Sequence, residues 1–300
     1  MKIINKIYTR LLVLAALSAM MFASCETPLD IEYLDTEEKV VVNAMGNTDE
    51  NLNLRLTYSR WFLSEKPFKE IDNATVSLLA NGQKVDDGVL RGDGNTYEEK
   101  NYYYFDNYVP KEGDMLKLDI QVPGEEPITA ECRVPYKPQI SDAEMRIIDE
   151  SADYYSSISF VLHDNPNEQN YYLLTVGDDW SRYFCINDYL LAEADVEGVI
   201  EGDASVCGDI LLFSDEKING RSHTININIG DFYYSDYEKG ITFKLAAITE
   251  DMYRFLKGMD MMNDGMQEMF GEPVQIHSNI NNGIGIFAIS STTTEHVVAN

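Results

Sequence analysis

From Val40 onward the chain alternates apolar and polar residues with a period of two, the mark of strands with one buried face. In "NLNLRLTYS", Leu52, Leu54, Leu56 and Tyr58 share one side, while Asn53, Arg55 and Thr57 share the other. "MLKLDIQV" repeats this with Leu116, Leu118, Ile120 and Val122 against Lys117, Asp119 and Gln121. "VVVNAMG", "YYYF" and "ITAECRV" add strands, and "ATVSLLANGQKV" predicts a hairpin turning at Asn81-Gly82. About seven short strands within about 100 residues predict a β-sandwich of immunoglobulin-like or transthyretin-like type over 39–137. "VPYKPQI", with Pro135 and Pro138, marks the boundary.

The second half, 138–300, predicts another antiparallel β domain, from "SISFVLHD", "NYYLLTV", "DILLF", "TININIG", "ITFKLAAI" and "GIGIFAIS". "TEDMYRFLKGMDMM" breaks the alternation. Met252, Phe255, Leu256 and Met259 recur at helical spacing, Thr249 is a cap and Glu250 and Asp251 suit the first turn. A helix near 249–262 follows, stopped by Asn263-Asp264-Gly265. The fold class is therefore mainly β, with two β domains and one helix in the second.

The first residues follow another rule. Lys2, Lys6 and Arg10 precede an apolar run from Leu11 to Phe22, and small residues follow at Ala23-Ser24, as in an exported signal peptide over 1–24. The run is too short to span a hydrocarbon core, which takes a helix of about 20 residues. Ser24 is followed at once by Cys25, and the arrangement resembles a bacterial lipobox with Phe22 in place of the usual Leu. Cys25 is then a lipidation site, and acyl chains contribute about 0.8 kcal/mol per buried methylene to membrane anchoring. Residues 25–38 are acidic, contain Pro28 and form a tether.

Composition narrows the partners. With 51 acidic against 23 basic residues and a formal charge of −28, the chain repels nucleic acid and anionic membrane surfaces. Loss of 1–24 removes basic residues alone. The 44% of hydrophobic residues suffices for a core and argues against disorder.

Few residues suggest chemistry. The histidines His163, His223, His277 and His296 have no metal-ligand spacing, and Asp164 and Glu168 in "HDNPNEQN" read as a polar turn. "GDGNTYEE" lacks the sixth-position Gly and twelfth-position Glu of a calcium loop and reads as a hairpin turn. Met259, Met261, Met262, Met266 and Met269 read as adaptable packing of the helix. No hydrolase, P-loop or dinucleotide motif occurs, so no catalytic residue, metal or cofactor is assigned. Cys132 reads as a small core residue; Cys185 and Cys207 flank an acidic insert and are a possible disulfide, which spacing alone does not fix. Two aromatic stretches stand out: Trp61, Phe62 and Phe68 in "SRWFLSEKPF", and "NYYYFDNY", where consecutive aromatics cannot share one face. Trp61, Phe62, Phe68, Tyr102 and Tyr104 are candidate partner or ligand contacts, with packing between the two β domains as the alternative.

The segments "LFSDEKING", "ITEDMYRFLKGMD" and "GEPVQIHSNINNGIGIFAISS" resemble the C-terminal signature of a Bacteroidetes lipoprotein family known as domain of unknown function 4249. "KVVVNAMG", "IDNATVSLLANG" and "ECRVPYKPQISD" resemble its N-terminal half, so the likeness covers 25–300; the insert around Asp188–Val206 has no counterpart. The resemblance implies an outer-membrane lipoprotein found beside TonB-dependent transporters, and implies no catalytic residues. The expectation is a non-enzymatic accessory or ligand-binding component of nutrient uptake. The alternative is an envelope structural or adhesin-type module, and a hydrolase ranks third.

Overall fold

The computed structural model describes residues 37–61, 64, 66–94, 100–147, 154–177, 184–186, 206–208, 210–230, 240–267 and 275–299. The signal segment, Cys25, most of the tether, Phe62, the 188–205 insert and Asn95–Glu99 of the "GDGNTYEE" turn lie outside these residues. Glu38–Arg60 and Ser64–Asn300 make up one compact unit, which does not include Trp61.

The first half supplies β1 (Val40–Asn47), β2 (Asn53–Tyr58), β3 (Thr75–Ala80), β4 (Gln83–Asp87), β5 (Val89–Gly92), β6 (Asn101–Tyr104), β7 (Met115–Gln121) and β8 (Ile128–Arg133). The second supplies β9 (Gln139–Ile147), β10 (Tyr154–His163), β11 (Tyr171–Val176), β12 (Phe184–Ile186), β13 (Val206–Gly208), β14 (Ile210–Ser214), β15 (Ser222–Gly230) and β16 (Ile241–Ile248). Helix α1 (Glu250–Gln267) and strands β17 (Ile280–Asn281) and β18 (Ile284–Val297) complete the order.

The protein is mainly β, as the alternation predicts. One eight-stranded sheet, β14-β11-β16-β18-β1-β2-β6-β5, runs through both halves, and each wing is faced by a five-stranded sheet. The β17-β8-β7-β3-β4 sheet closes the first sandwich and the β13-β12-β15-β10-β9 sheet the second. The first core holds Leu54, Leu56, Leu78, Leu116, Leu118, Ile120 and Phe105; the second holds Phe160, Phe243, Leu174, Ile225, Ile227 and Ile229. Fully burying each such side chain contributes about 1.5–3 kcal/mol.

The cores change over between Val134 and Met145, but β18 serves both. Its first half pairs in parallel with β1, from Val41↔Ile284 to Asn47↔Ser290; its second pairs antiparallel with β16. Phe287 and Ile289 enter the first core, and Val297 the second. The boundary segment is tied to the same strand: Ser291 Oγ donates to the Pro135 carbonyl at 2.6 Å and Thr293 Oγ1 to the Pro138 carbonyl at 2.7 Å.

On the other side of β18, Ile286 and Ala288 meet α1 through Met252, Phe255 and Leu256. Thr249 Oγ1 accepts from Met252 N at 3.1 Å, an N-cap over a first turn holding Glu250 and Asp251. The helix continues to Gln267, past the Asn263-Asp264-Gly265 stop that the sequence predicts. None of the three lacks an N–H, so each weakens the helical ladder without removing a bond from it.

Candidate functional site

The aromatic residues singled out in the sequence divide by strand parity. Tyr103 and Phe105 point into the first core, and the Tyr103 hydroxyl is held between Ile71 O and Ala74 N, each at 3.0 Å. Tyr102 and Tyr104 therefore face outward, with ring centroids 6.2 Å apart. The Arg91 guanidinium of β5 lies 4.5 Å from the Tyr104 ring centre and donates to Asp106 at 2.6 Å.

The β2 register extends this row. Tyr104 stands opposite Asn53, and the Glu70 backbone stands opposite Thr57 on the same edge of β2. At about 3.3 Å per residue the two positions are about 13 Å apart. Between them Arg55 forms an ion pair with Glu70. Two residues before Glu70, Phe68 is 46% exposed and carries Arg60 4.2 Å from its ring centre. Phe68, Tyr102 and Tyr104 thus flank one edge of β2, interleaved with arginines whose charge is met by a ring or a carboxylate. Planar rings beside satisfied guanidinium groups are the composition of protein-contact surfaces. Of the other two candidate contacts, Trp61 belongs to a separate unit and Phe62 lies outside the described residues.

A second feature lies where the halves meet. Arg133, Tyr136, Glu168, Asn170, Tyr171 and Glu250, among others, line a cleft of about 220 Å³. Beside it the "HDNPNEQN" turn clasps "LFSDEKING". Asn170 N donates to Asp215 Oδ2 at 2.8 Å, Asp215 N to Asn170 O at 3.0 Å, and Gly220 N to Asp164 Oδ2 at 2.7 Å. Tyr172 donates to Asp164 Oδ1 at 2.8 Å, so Asp164 is engaged inside the protein, and Glu168 accepts from Asn165 at 2.8 Å. Asp215 is fully buried and its Oδ1 has no hydrogen-bond partner. Burial first, and then the nearby Asp164 and Glu168 charges, push its carboxyl up to about 6. Nothing in the sequence pattern separates this acid from the other acidic residues; only its position opposite Asn170 does.

A serine–histidine contact also emerges across three neighbouring strands. His163 Nε2 lies 2.8 Å from Ser141 Oγ and Nδ1 lies 2.8 Å from Ser222 Oγ. Ser141 Oγ in turn donates to Asp142 Oδ2 at 2.9 Å. Ser141 Oγ therefore has two neighbours, the Asp142 carboxylate and the His163 ring, and which way the hydrogen bond to the ring runs follows the imidazole tautomer. The row is an exposed hydrogen-bonded surface.

Cys132 is buried in the first core, where burial pushes its thiol up to about 12. Cys185 on β12 and Cys207 on β13 are direct partners in the strand register. Among the described residues no helix is long and apolar enough to cross a membrane, and no cluster of three or more His, Cys, Asp or Glu is arranged to hold a metal.

The chain thus folds as two β-sandwiches that share one sheet, with a helix packed on the shared strand. Residues 26–296 match the family described as Domain of unknown function (DUF4249), and the chain belongs to it. No protein of curated function matches the chain. A solved structure of the Enterococcus faecalis MSCRAMM ACE, titled as binding its ligands by the collagen Hug Model, is similar at 12% identity. That alignment covers 87% of this chain and 95% of that one with a TM-score of 0.20, too low to carry an argument.

Proposed function

We propose that the protein is a lipid-anchored outer-membrane lipoprotein that binds rather than catalyses. It works beside a TonB-dependent transporter as an accessory or ligand-binding component of nutrient uptake. The observation that carries the reading is the N-terminal run from Lys2 to Cys25, with its basic start, short apolar stretch and small residues directly before one cysteine. The strip of Phe68, Tyr102 and Tyr104 supports a protein contact, since these rings lie outside the first core while Tyr103 and Phe105 fill it.

The test is a mild-detergent pull-down of the tagged, lipidated protein from native outer membranes, with mass spectrometry of what accompanies it. Stoichiometric recovery of a TonB-dependent transporter is the expected result. Recovery of the protein alone, still membrane-bound, overturns the stable partnership and transfers the weight to a free-standing envelope structural role.

A further inference from the structure

We infer that Cys185 and Cys207 are joined by a disulfide that locks the edge of the second sandwich. The two residues stand directly opposite each other in the antiparallel β12–β13 pairing, between Phe184↔Gly208 and Ile186↔Val206. Opposed residues in such a ladder have Cα atoms about 4.5–5.5 Å apart. A disulfide spans about 4.4–6.8 Å, so the backbone is already placed for the bond. Cys132 is buried in the other core, which leaves it no route to either residue.

The placement also gives the bond a purpose. β13 is three residues long, stands at the end of its sheet and has β12 as its single neighbour there. Three residues of ladder are a weak hold on an edge strand, and the roughly 20-residue connection between the cysteines adds closure entropy against it. That connection carries Asp188, Glu193, Asp195, Glu197, Glu201 and Asp203 and no basic residue, so no ion pair within it can add to the hold. A covalent bond at the base offsets both effects by restricting the unfolded chain.

The bond forms by thiol–disulfide exchange. One cysteine thiolate attacks the disulfide of a thiol–disulfide oxidoreductase, giving a mixed disulfide and releasing one oxidant thiolate. The second thiolate attacks the protein's sulfur in that mixed disulfide, closes Cys185–Cys207 and releases the second. Two protein thiols are oxidised and one oxidant disulfide is reduced to a dithiol. In the cell this rests on the export proposed above, because that is where such oxidants operate; the pairing itself does not, and the test is done in solution.

Purified full-length protein is equilibrated in a glutathione redox buffer, trapped with iodoacetamide under denaturing conditions and mapped by mass spectrometry without reduction. The expected result is a linked peptide pair containing Cys185 and Cys207, with Cys132 alkylated. Reduction is expected to lower the thermal midpoint by about 5–10 °C, and Cys185→Ser to abolish that sensitivity. Cys185 and Cys207 both alkylated, or each carrying glutathione, overturns the proposal. Neither outcome depends on where the protein resides, so a failed pull-down leaves this test intact.

Discussion

Gly285 and Val42 face each other across the parallel pairing of β18 and β1, so closely that a Cβ on Gly285 would lie 2.0 Å from the Val42 carbonyl oxygen. Gly285 also has a φ of +115°, a conformation that residues with a side chain rarely adopt. Gly285→Ala is expected to cost more than about 3 kcal/mol, through strain and loss of the pairing that joins the halves. Gly82, at φ +80° in the β3–β4 turn, has open space around it, so Gly82→Ala is expected to cost about 1–2 kcal/mol. Urea unfolding of both variants checks the contrast; similar losses would remove the special status of the β1–β18 contact.

Asn279 acts as a strand partner made from a side chain. Its Oδ1 accepts from Phe287 N at 2.9 Å and its Nδ2 donates to Phe287 O at 2.8 Å. The same amide reaches Asp251 Oδ2 at 3.2 Å, and His277 Nε2 lies 2.7 Å from Asp251 Oδ1, so the start of α1 is tied to β18 through one residue. Asn279→Ala leaves both Phe287 backbone groups without these partners and is expected to cost about 2–4 kcal/mol. A denaturant midpoint unchanged in Asn279→Ala would show that the helix seats without this tie.

Asp215 makes stability depend on pH in an unusual direction. Its folded carboxyl titrates near 6, whereas an unfolded one titrates near pH 4. Below about pH 4 both states hold the proton and the residue contributes nothing to the difference. Between 4 and 6 the unfolded chain releases it first, so stability falls as pH rises; above 6 the deficit is constant, on the order of 2 kcal/mol. Asp215→Asn keeps an oxygen for the Asn170 N–H and carries no charge. It is expected to stabilise the protein at pH 8 and to leave it unchanged at pH 4, read as the difference in thermal midpoint from the parent. An equal effect at both values would show that titration is not involved.

Much of this architecture is legible in the sequence because a sheet with one buried face imposes a period of two. Leu116, Leu118 and Ile120 reveal their strand that way, and Asn81-Gly82 reveals its turn, with φ of 51° and 80°. The span of β18 is not legible. Both of its faces are covered, by Ile289 on the core side and by Ile286 and Ala288 under α1, so its apolar run gives no sign that it pairs with the first strand of the chain. The return of Phe287 to the first core is a long-range pairing that local pattern does not encode. The contact strip was half legible: four aromatics in succession imply that some face outward, but Arg91 and the Arg55–Glu70 pair that complete the surface come from separate segments. Asp215 gave no signal at all, because burial, not residue type, distinguishes it.

Neighbouring tyrosines of β6 separate binding from folding. Tyr103 is 2% exposed and its hydroxyl both donates and accepts, so Tyr103→Ala is expected to cost about 3–5 kcal/mol of stability. Tyr104 lies outward, with Arg91 against its ring, and Tyr104→Ala is expected to shift the denaturant midpoint little. Central aromatic anchors of an interface contribute about 2 kcal/mol or more when truncated. Tyr104→Ala and Phe68→Ala are therefore each expected to lower transporter recovery about 30-fold when the complex is titrated below saturation. The proteins should be matched for membrane amount and checked for unchanged melting. Full recovery with both rings removed would take the contact off this face and leave the proposed lipid anchoring at Cys25 untouched. Lost recovery in Tyr104→Ala with an intact fold would put the transporter against the outer side of β6, because the substitution leaves the first core's own packing in place.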